Sequence, residues 1–464
     1  MINFDNFPNQ FQRILKIIKP SGGFLVGGAV RDLLLGKEIH DLDFSLPKST
    51  IEYAKEVADK LKGDYYLLDR ERQTARVILK DQDQKRLIVD FTLFQGNSIE
   101  DDLTSRDFTI TSMAMDINQE FQLIDLFQGS QDLRDGSIRC TTTHSLKDDP
   151  LRCIRAVRMA AQLGFRILPE TKKLIHKAKE KLSDISPERI RDEIFRILEG
   201  PKQSSALLTL QILDIYPLIF EEDLLDIQGK AQRKLGEFWR MMLEDHNQDS
   251  AANWVDGLYA HRLGRYREQI RTHLMIETVP GRSLYQLSFL LPILMGSGNF
   301  LNVNWRDNTI DLTAINKLSL SNQEYDRLEK GALAAVNFLQ LAGKGVRILP
   351  IDIYRFFREY KNAGVEGIFL ALAHFLIIED TSLKESSWQH QLEVARNLLE
   401  GWWEKRSEWI YPPGLLDGDD LQEELCMEPG PEIGKTLETL REAQVRFGLK
   451  SKQEALDYIK NLRD

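Results

Sequence analysis

Residues 25–46 read LVGGAVRDLLLGKEIHDLDFSL. Two glycines follow a short apolar run, a helix-forming segment carries Arg31, and two aspartates stand one residue apart. Successive side chains on a strand point to opposite faces, so Asp41 and Asp43 share one face. Carboxylates held side by side repel unless a cation lies between them. A hard divalent ion with oxygen ligands fits there. Mg²⁺ takes one or two protein carboxylates and leaves its other positions to water and substrate phosphates. The preceding turn supplies what phosphates need. Gly27 and Gly28 let the backbone come close to a ligand, a helix opening at about Ala29 offers free N–H groups, and Arg31 adds charge. A bare Asp-x-Asp is usually a pair of exposed acids. Beside a phosphate-binding turn it becomes an arrangement for phosphoryl transfer.

The surroundings place this stretch in an α+β unit. GGFLVGG, DLDFSL, TARVILK and RLIVDFTLF are short, β-branched or alternating runs bounded by turn residues, and they predict strands. STIEYAKEVADKLKG between them has helical spacing and closes on Gly63. Asp90 falls on the RLIVDFTLF strand. It is either a third carboxylate beside the pair or a strand-end acid with a structural hydrogen bond. The unit is complete near residue 140. Beyond it DPLRCIRAVRMAAQLGF, PETKKLIHKAKEKL and SPERIRDEIFRILEG predict successive helices, and helical patterns continue to the end with no fixed-period repeat.

The net charge of the 464-residue chain is -10, so no global positive field advertises a polyanionic partner. Local charge differs: residues 140–200 carry 13 Lys and Arg against 9 Asp and Glu, a net of +4. Cys140, Cys153 and Cys426 are too widely spaced for a disulfide framework or a Cys-rich zinc site, and predict a reducing compartment. The first residues lack a signal-peptide cleavage pattern. The longest apolar run, GIFLALAHFLII, is 12 residues and predicts a buried helix with no membrane contact. The expected location is the cytoplasm.

Taken in order, LVGGAVRDLLLG…HDLDFSL, SRDFTITSMAMD and DDPLRCIRAVRMAAQLGF resemble the class II tRNA nucleotidyltransferase and bacterial poly(A) polymerase family. LLDGDDLQEEL…PGPEIGKTLETLREAQ is similar to the tail of its tRNA-specific members. The resemblance implies a polymerase-β-like nucleotidyltransferase head at residues 1–140, then an all-α remainder. That remainder would comprise a neck with the base-reading motif (141–205), a body (206–340) and a tRNA-binding tail (341–464). It implies template-independent addition of CMP, with AMP as an open further step, from CTP and ATP to the 3′ end of tRNA. Asp41 and Asp43 would then hold Mg²⁺. Arg106 and Asp107 would meet the incoming nucleotide's sugar and phosphates. Asp149, Arg152 and Arg155 would read its base, with Arg158 next on the same helix.

The base-reading assignment has a chemical rationale. Arg offers only donors and ionised Asp only acceptors. Cytosine presents acceptors at N3 and O2 and a donor at N4, and adenine an acceptor at N1 and a donor at N6. One Arg and one Asp match either edge. Uracil puts an oxygen where the Asp needs a donor, and guanine reverses the pattern. A mismatch leaves a buried group unpaired, which costs about 1–3 kcal/mol.

The chain departs from the family pattern in four places. Ser105 and Thr111 replace the usual Arg and Asn, and Asp148 replaces a Glu. Only 16 residues separate Asp90 from Asp107, where full CCA-adding members carry a longer flexible loop. Members that add only the two cytidines are similar to this chain in that respect, so CC addition and full CCA addition both stay open. Poly(A) polymerase or A addition is a further alternative; against the polymerase stand the tail resemblance and the lack of a long basic C-terminal extension. A catalytically weak RNA-binding protein is an alternative of another class. A His-Asp phosphohydrolase is disfavoured, because the 8 histidines are scattered and His40-Asp41 sits inside the head motif. The cationic segments AHRLGRYREQIRTH and KGVRILPIDIYRFFREYK, with Arg347, Arg355 and Arg358, are candidate RNA contacts.

Overall fold

The computed structural model describes residues 7–39, 41–80, 86–119, 121–220, 223, 225–243, 253–295, 303–304, 309–379 and 383–463; His40 and the first six residues lie outside them. The chain folds as two compact units, Met1–Leu218 and Ile219–Asp464.

The first unit is built on a seven-stranded mixed sheet of order β3-β4-β5-β2-β1-β6-β7. The strands are β1 (Phe24–Val26), β2 (Asp41–Leu46), β3 (Asp64–Asp69), β4 (Thr74–Lys80), β5 (Arg86–Leu93), β6 (Ala114–Asp116) and β7 (Gln122–Ile124). The helices of the sheet region are α1 (Phe11–Ile18), α2 (Gly27–Leu34), α3 (Thr50–Leu61), α4 (Ile99–Ser105) and α5 (Gly129–Arg134). Alternation along β2 and β5 sorts the side chains. Leu42, Phe44, Leu46, Val89 and Phe91 enter a buried core with Ile14 and Ile18 of α1 and Ala54 and Val57 of α3. The Phe44 and Phe91 rings stack with centroids 5.6 Å apart. The opposite face is polar around Asp41, Asp43 and Asp90. It is covered in part by α4, whose Ile99 and Leu103 pack on Val26 and Ala114.

The helical neck follows as α6 (Ser145–Asp148), α7 (Arg152–Leu163), α8 (Pro169–Ala178) and α9 (Pro187–Glu199). α7 stops at Gly164, which takes the left-handed conformation a helix end favours. α2 starts at Gly27, two residues earlier than predicted. The left-handed residue closing α3 is Lys62, so Gly63 is not itself that residue. β3 carries no clean alternation and its burial is irregular, so its residues leave no strand pattern to read.

The second unit is mainly helical, with Trp239, Phe238, Tyr259, Phe369 and Trp388 among its buried aromatics. The helical stretch Pro350–Ile378 reaches 29 residues, longer than the predicted apolar run; its apolar 18-residue window has a mean hydropathy of 1.4, and 72% of that window is buried in the protein. Leu416, Leu421, Leu440, Ala455, Leu456 and Ile459 form a small separate core near the end. Arg355 and Arg358 are tied down: their guanidiniums pair with Glu442 (2.5 Å) and Glu438 (3.1 Å) of helix Pro431–Phe447.

Candidate active site

Backbone register builds the centre of the site. β2 runs parallel to β5 with Asp43 opposite Asp90, and β5 runs antiparallel to β4 with Asp90 opposite Arg76. Asp43, Asp90 and Arg76 therefore form a row across three adjacent strands, on one face. Arg76 grips Asp90 with two hydrogen bonds, Nε to Oδ1 and Nη2 to Oδ2, both 2.8 Å. Burial together with the Asp90 charge, and to a smaller extent Asp41, pushes the Asp43 carboxyl up to about 6, against the opposing pull of Arg106 and Arg155. The site is short of positive charge at Asp43. That is the condition a divalent cation relieves. Among the described residues no three His, Cys, Asp or Glu side chains form a ready-made cage, which suits an ion that completes its shell with substrate oxygens.

The glycine turn lies directly against this row. Gly27 has φ +68°, and a β-carbon there would stand 3.2 Å from Arg106 Nη1 and 3.3 Å from Asp43 Oδ2. Only glycine satisfies both the backbone and the space. Gly27→Ala is expected to cost about 1–2 kcal/mol through the left-handed conformation alone. It should lower kcat/KM for nucleotide further, because the new methyl displaces Arg106 or Asp43; melting and steady-state rates measured together separate the two effects.

Arg106 is held by the buried Asp102, whose Oδ2 accepts from Nη2 at 2.9 Å and Nε at 3.2 Å. Asp107 is buried. Its Oδ1 accepts from the Phe108 N–H (2.9 Å) and from the Thr111 hydroxyl (2.7 Å). Arg155 Nε is 2.9 Å from Oδ2, yet the N–H is not aimed at it, so that oxygen has a charge partner and no directed hydrogen bond. Burial raises the Asp107 carboxyl, but Arg155, the Thr111 hydroxyl and Arg152 together hold it below the usual range. Thr111 thus has a defined task despite being shorter than the family's Asn. Thr111→Val is expected to destabilise the protein by about 1–3 kcal/mol by removing a donor from a buried carboxylate, read from denaturant unfolding.

Arg152 donates to the Ser145 carbonyl (3.2 Å), the Ser145 hydroxyl (2.9 Å) and the Ser105 carbonyl (2.9 Å). An Arg has five N–H donors, so two remain for a ligand. Position 105 acts on Arg152 through its backbone oxygen, which any residue there supplies. Asp149 is engaged by Arg189 Nη2 at 2.9 Å and by the Leu151 N–H at 3.3 Å, and each carboxylate oxygen keeps a free lone pair.

These groups surround a cavity of about 580 Å³ lined by Gly27, Gly28, Asp43, Asp90, Arg106, Asp107, Thr111, Arg152 and Arg155, with Glu71 and Arg72 from the β3–β4 turn. Asp41 is exposed at the start of β2, and it and Asp149 are not among the lining residues. Two further predicted residues are directed elsewhere. Arg31 forks onto its neighbour Asp32 at 2.7 and 2.8 Å. Arg158 pairs with Glu193 at 2.7 Å, tying α7 to α9. Sequence reasoning missed Arg76, Arg72, Asp102 and Arg189. Only Arg76 left a signal, as a cation on the polar phase of the alternating TARVILK strand.

Residues 23–139 match the model of the poly(A) polymerase head domain, and residues 164–223 match that of a probable RNA and SrmB-binding site of polymerase A. A CC-adding tRNA nucleotidyltransferase of Geobacter sulfurreducens is 29% identical over 94% of this chain and 91% of its own length. A CCA-adding enzyme of Leuconostoc mesenteroides is 31% identical over 62% of this chain and 72% of that protein. The chain belongs to the tRNA nucleotidyltransferase and poly(A) polymerase family. An A-adding tRNA nucleotidyltransferase of Deinococcus radiodurans also matches, at 27% identity over 95% of each chain. The fold of this nucleotidyltransferase is that of a CCA-adding enzyme solved with CTP, at a TM-score of 0.66 and 21% identity, covering 98% of this chain and 95% of that one.

Proposed function

We propose that this chain transfers CMP from CTP to the 3′ end of tRNA, adds two cytidines and stops, with Mg²⁺ as its metal and the cytoplasm as its location. The observation that carries this is the cavity in which a carboxylate short of counter-charge, a glycine turn and four arginines meet. Asp41 and Asp43 would hold the ion, which supplies charge neutralisation for the attacking 3′-oxygen and the departing pyrophosphate. Arg106, fixed by Asp102 beside Gly27, meets the triphosphate. Arg155 and Thr111 keep Asp107 ionised and aimed at the sugar. Arg152, with two donors left, faces the acceptors of cytosine, and Asp149 accepts from its amino group.

Stopping after two cytidines is supported by the link between β5 and α4. Its backbone is pinned at three points: Phe94 N–H to the Leu46 carbonyl (3.0 Å), Gln95 N–H to Asp102 (3.0 Å) and Asn97 N–H to Asp101 (2.9 Å). A connection so short and so tied leaves no long loop to rearrange the base pocket for adenine. The test uses tRNA transcripts ending before CCA, after C and after CC, each with labelled CTP or ATP and Mg²⁺. Two cytidines on the first transcript and nothing on the third are expected. AMP on the CC-ending transcript would replace this reading with CCA or A addition, and no incorporation by folded protein would overturn it.

A further inference from the structure

The second unit contains a cavity of about 640 Å³ remote in sequence from the catalytic groups. Its volume lies within the roughly 300–1,000 Å³ of pockets that take small ligands. Its construction is unusual in three respects. Arg406 opens a single π-turn, Arg406–Ile410, a rare element that often marks functional positions. The Arg406 guanidinium carbon sits 4.3 Å over the Trp402 ring and 5.2 Å from the Tyr411 ring. Trp402 is itself locked by stacking on Phe357 at 4.8 Å. Lys361, which also lines the cavity, has φ +51° and ψ −139°, a conformation glycine adopts freely and lysine does not.

Charge distinguishes these two cations from their neighbours. The arginines of the two cationic segments in this unit are largely committed to acids: Arg262 to Glu393, Arg265 to Glu404, Arg355 to Glu442 and Arg358 to Glu438. Arg406 and Lys361 are exposed and form no ion pair among the described residues. Tyr411 leaves 47% of its surface exposed. An exposed ring, a guanidinium within reach of two aromatic faces and a second unpaired ammonium match a base and its phosphate.

We infer that this cavity receives one unpaired nucleotide of the RNA substrate, the base on Tyr411 and the Arg406 plane, the phosphate on Arg406 and Lys361. Bases splayed out of RNA are bound in this way, on aromatic and guanidinium faces. The inference rests on the RNA-acceptor reading above, and its test is made on binding so that the two can fail separately.

Two variants are compared with the full-length protein by measuring tRNA affinity at several salt concentrations. Arg406→Gln removes the stacked cation. Lys361→Gly removes the other and puts a residue suited to that backbone in its place, so its melting temperature should not fall. Each is expected to weaken tRNA binding by about tenfold and to flatten the salt dependence by about one unit of slope. KM for CTP and kcat at saturating tRNA should stay unchanged. Weaker binding by Arg406→Gln alone, with unaltered salt slope and a lowered melting temperature, would reduce Arg406 to a packing role and overturn the inference. So would CMP binding that is lost in both variants while tRNA affinity is untouched, since that marks a pocket for the free nucleotide. A wild-type protein that binds tRNA, loses affinity in both variants and adds no CMP supports the pocket and refutes the catalytic reading alone.

Discussion

Asp43→Asn is expected to lower CMP incorporation by on the order of 10³-fold or more, and at the same time to make the metal-free protein harder to melt. The two effects have one origin. Asp43 sits beside Asp90 and near Asp41, and burial with their charge lifts its carboxyl from an ordinary 3.8 to about 6. Below pH 4 the folded and unfolded chains both carry the proton. Between about 4 and 6 the unfolded chain releases it first, so the native state loses stability as pH rises, by about 3 kcal/mol at most. Asn has no charge to bury and escapes this. Above pH 6 without divalent ions the variant should melt several degrees higher than the parent, at roughly 2–4 °C per kcal/mol, and the gap should close toward pH 4. Mg²⁺ with CTP should raise the melting point of the parent and not of the variant. A variant that retains activity would remove Asp43 from the metal-binding role, and one that melts lower at pH 8 without divalent ions would overturn the buried-charge account.

Asp149→Asn is expected to change which nucleotide is chosen. An ionised Asp accepts only, so it rewards the amino group of cytosine and penalises the oxygen that uracil puts in its place. Asn presents a donor as well. The preference for CTP over UTP is expected to fall by about tenfold to a hundredfold, read as the ratio of kcat/KM values on a tRNA transcript ending before CCA. The rate with CTP should fall less than with Asp43→Asn, because the reacting oxygens are elsewhere. The Arg189 pair must be counted in this experiment. Arg189 donates to a charged carboxylate at Asp149, and a neutral amide in its place would hold that guanidinium more weakly. Arg189→Gln is therefore the companion variant: loss of selectivity there too would show that Arg189 aims the carboxylate.

Local pattern and distant partners explain what the sequence made legible. Alternation placed Asp41 and Asp43 on one face of β2, and short apolar runs located β1, β2, β4 and β5. The row Asp43–Asp90–Arg76 needed strand register across segments dozens of residues apart, which no local period encodes. Arginine was the least legible side chain. Arg31, Arg158, Arg355 and Arg358 all had plausible spacing for a polyanion, and each found a carboxylate: next door for Arg31, on a helix 35 residues away for Arg158, and 80 or more away for the others. Conversely Asp102 and Arg189 looked like ordinary helix acids and bases, and their importance comes only from what they hold.

The ion pair between Asp107 and Arg155 bears on how the sheet region and the neck depend on each other. Asp107 is buried in the sheet region, but the cations that keep its carboxylate charged, Arg155 and Arg152, belong to α7. Without α7 the Asp107 carboxylate would keep only the Phe108 N–H and the Thr111 hydroxyl as partners, so holding it charged in the interior would cost more and the protonated form would be favoured. Docking of α7 is therefore expected to stabilise the native state of the sheet region. The strands and the neck are separate in secondary structure, yet this ion pair couples them, and the same helix brings Arg152 and Arg155 to the cavity.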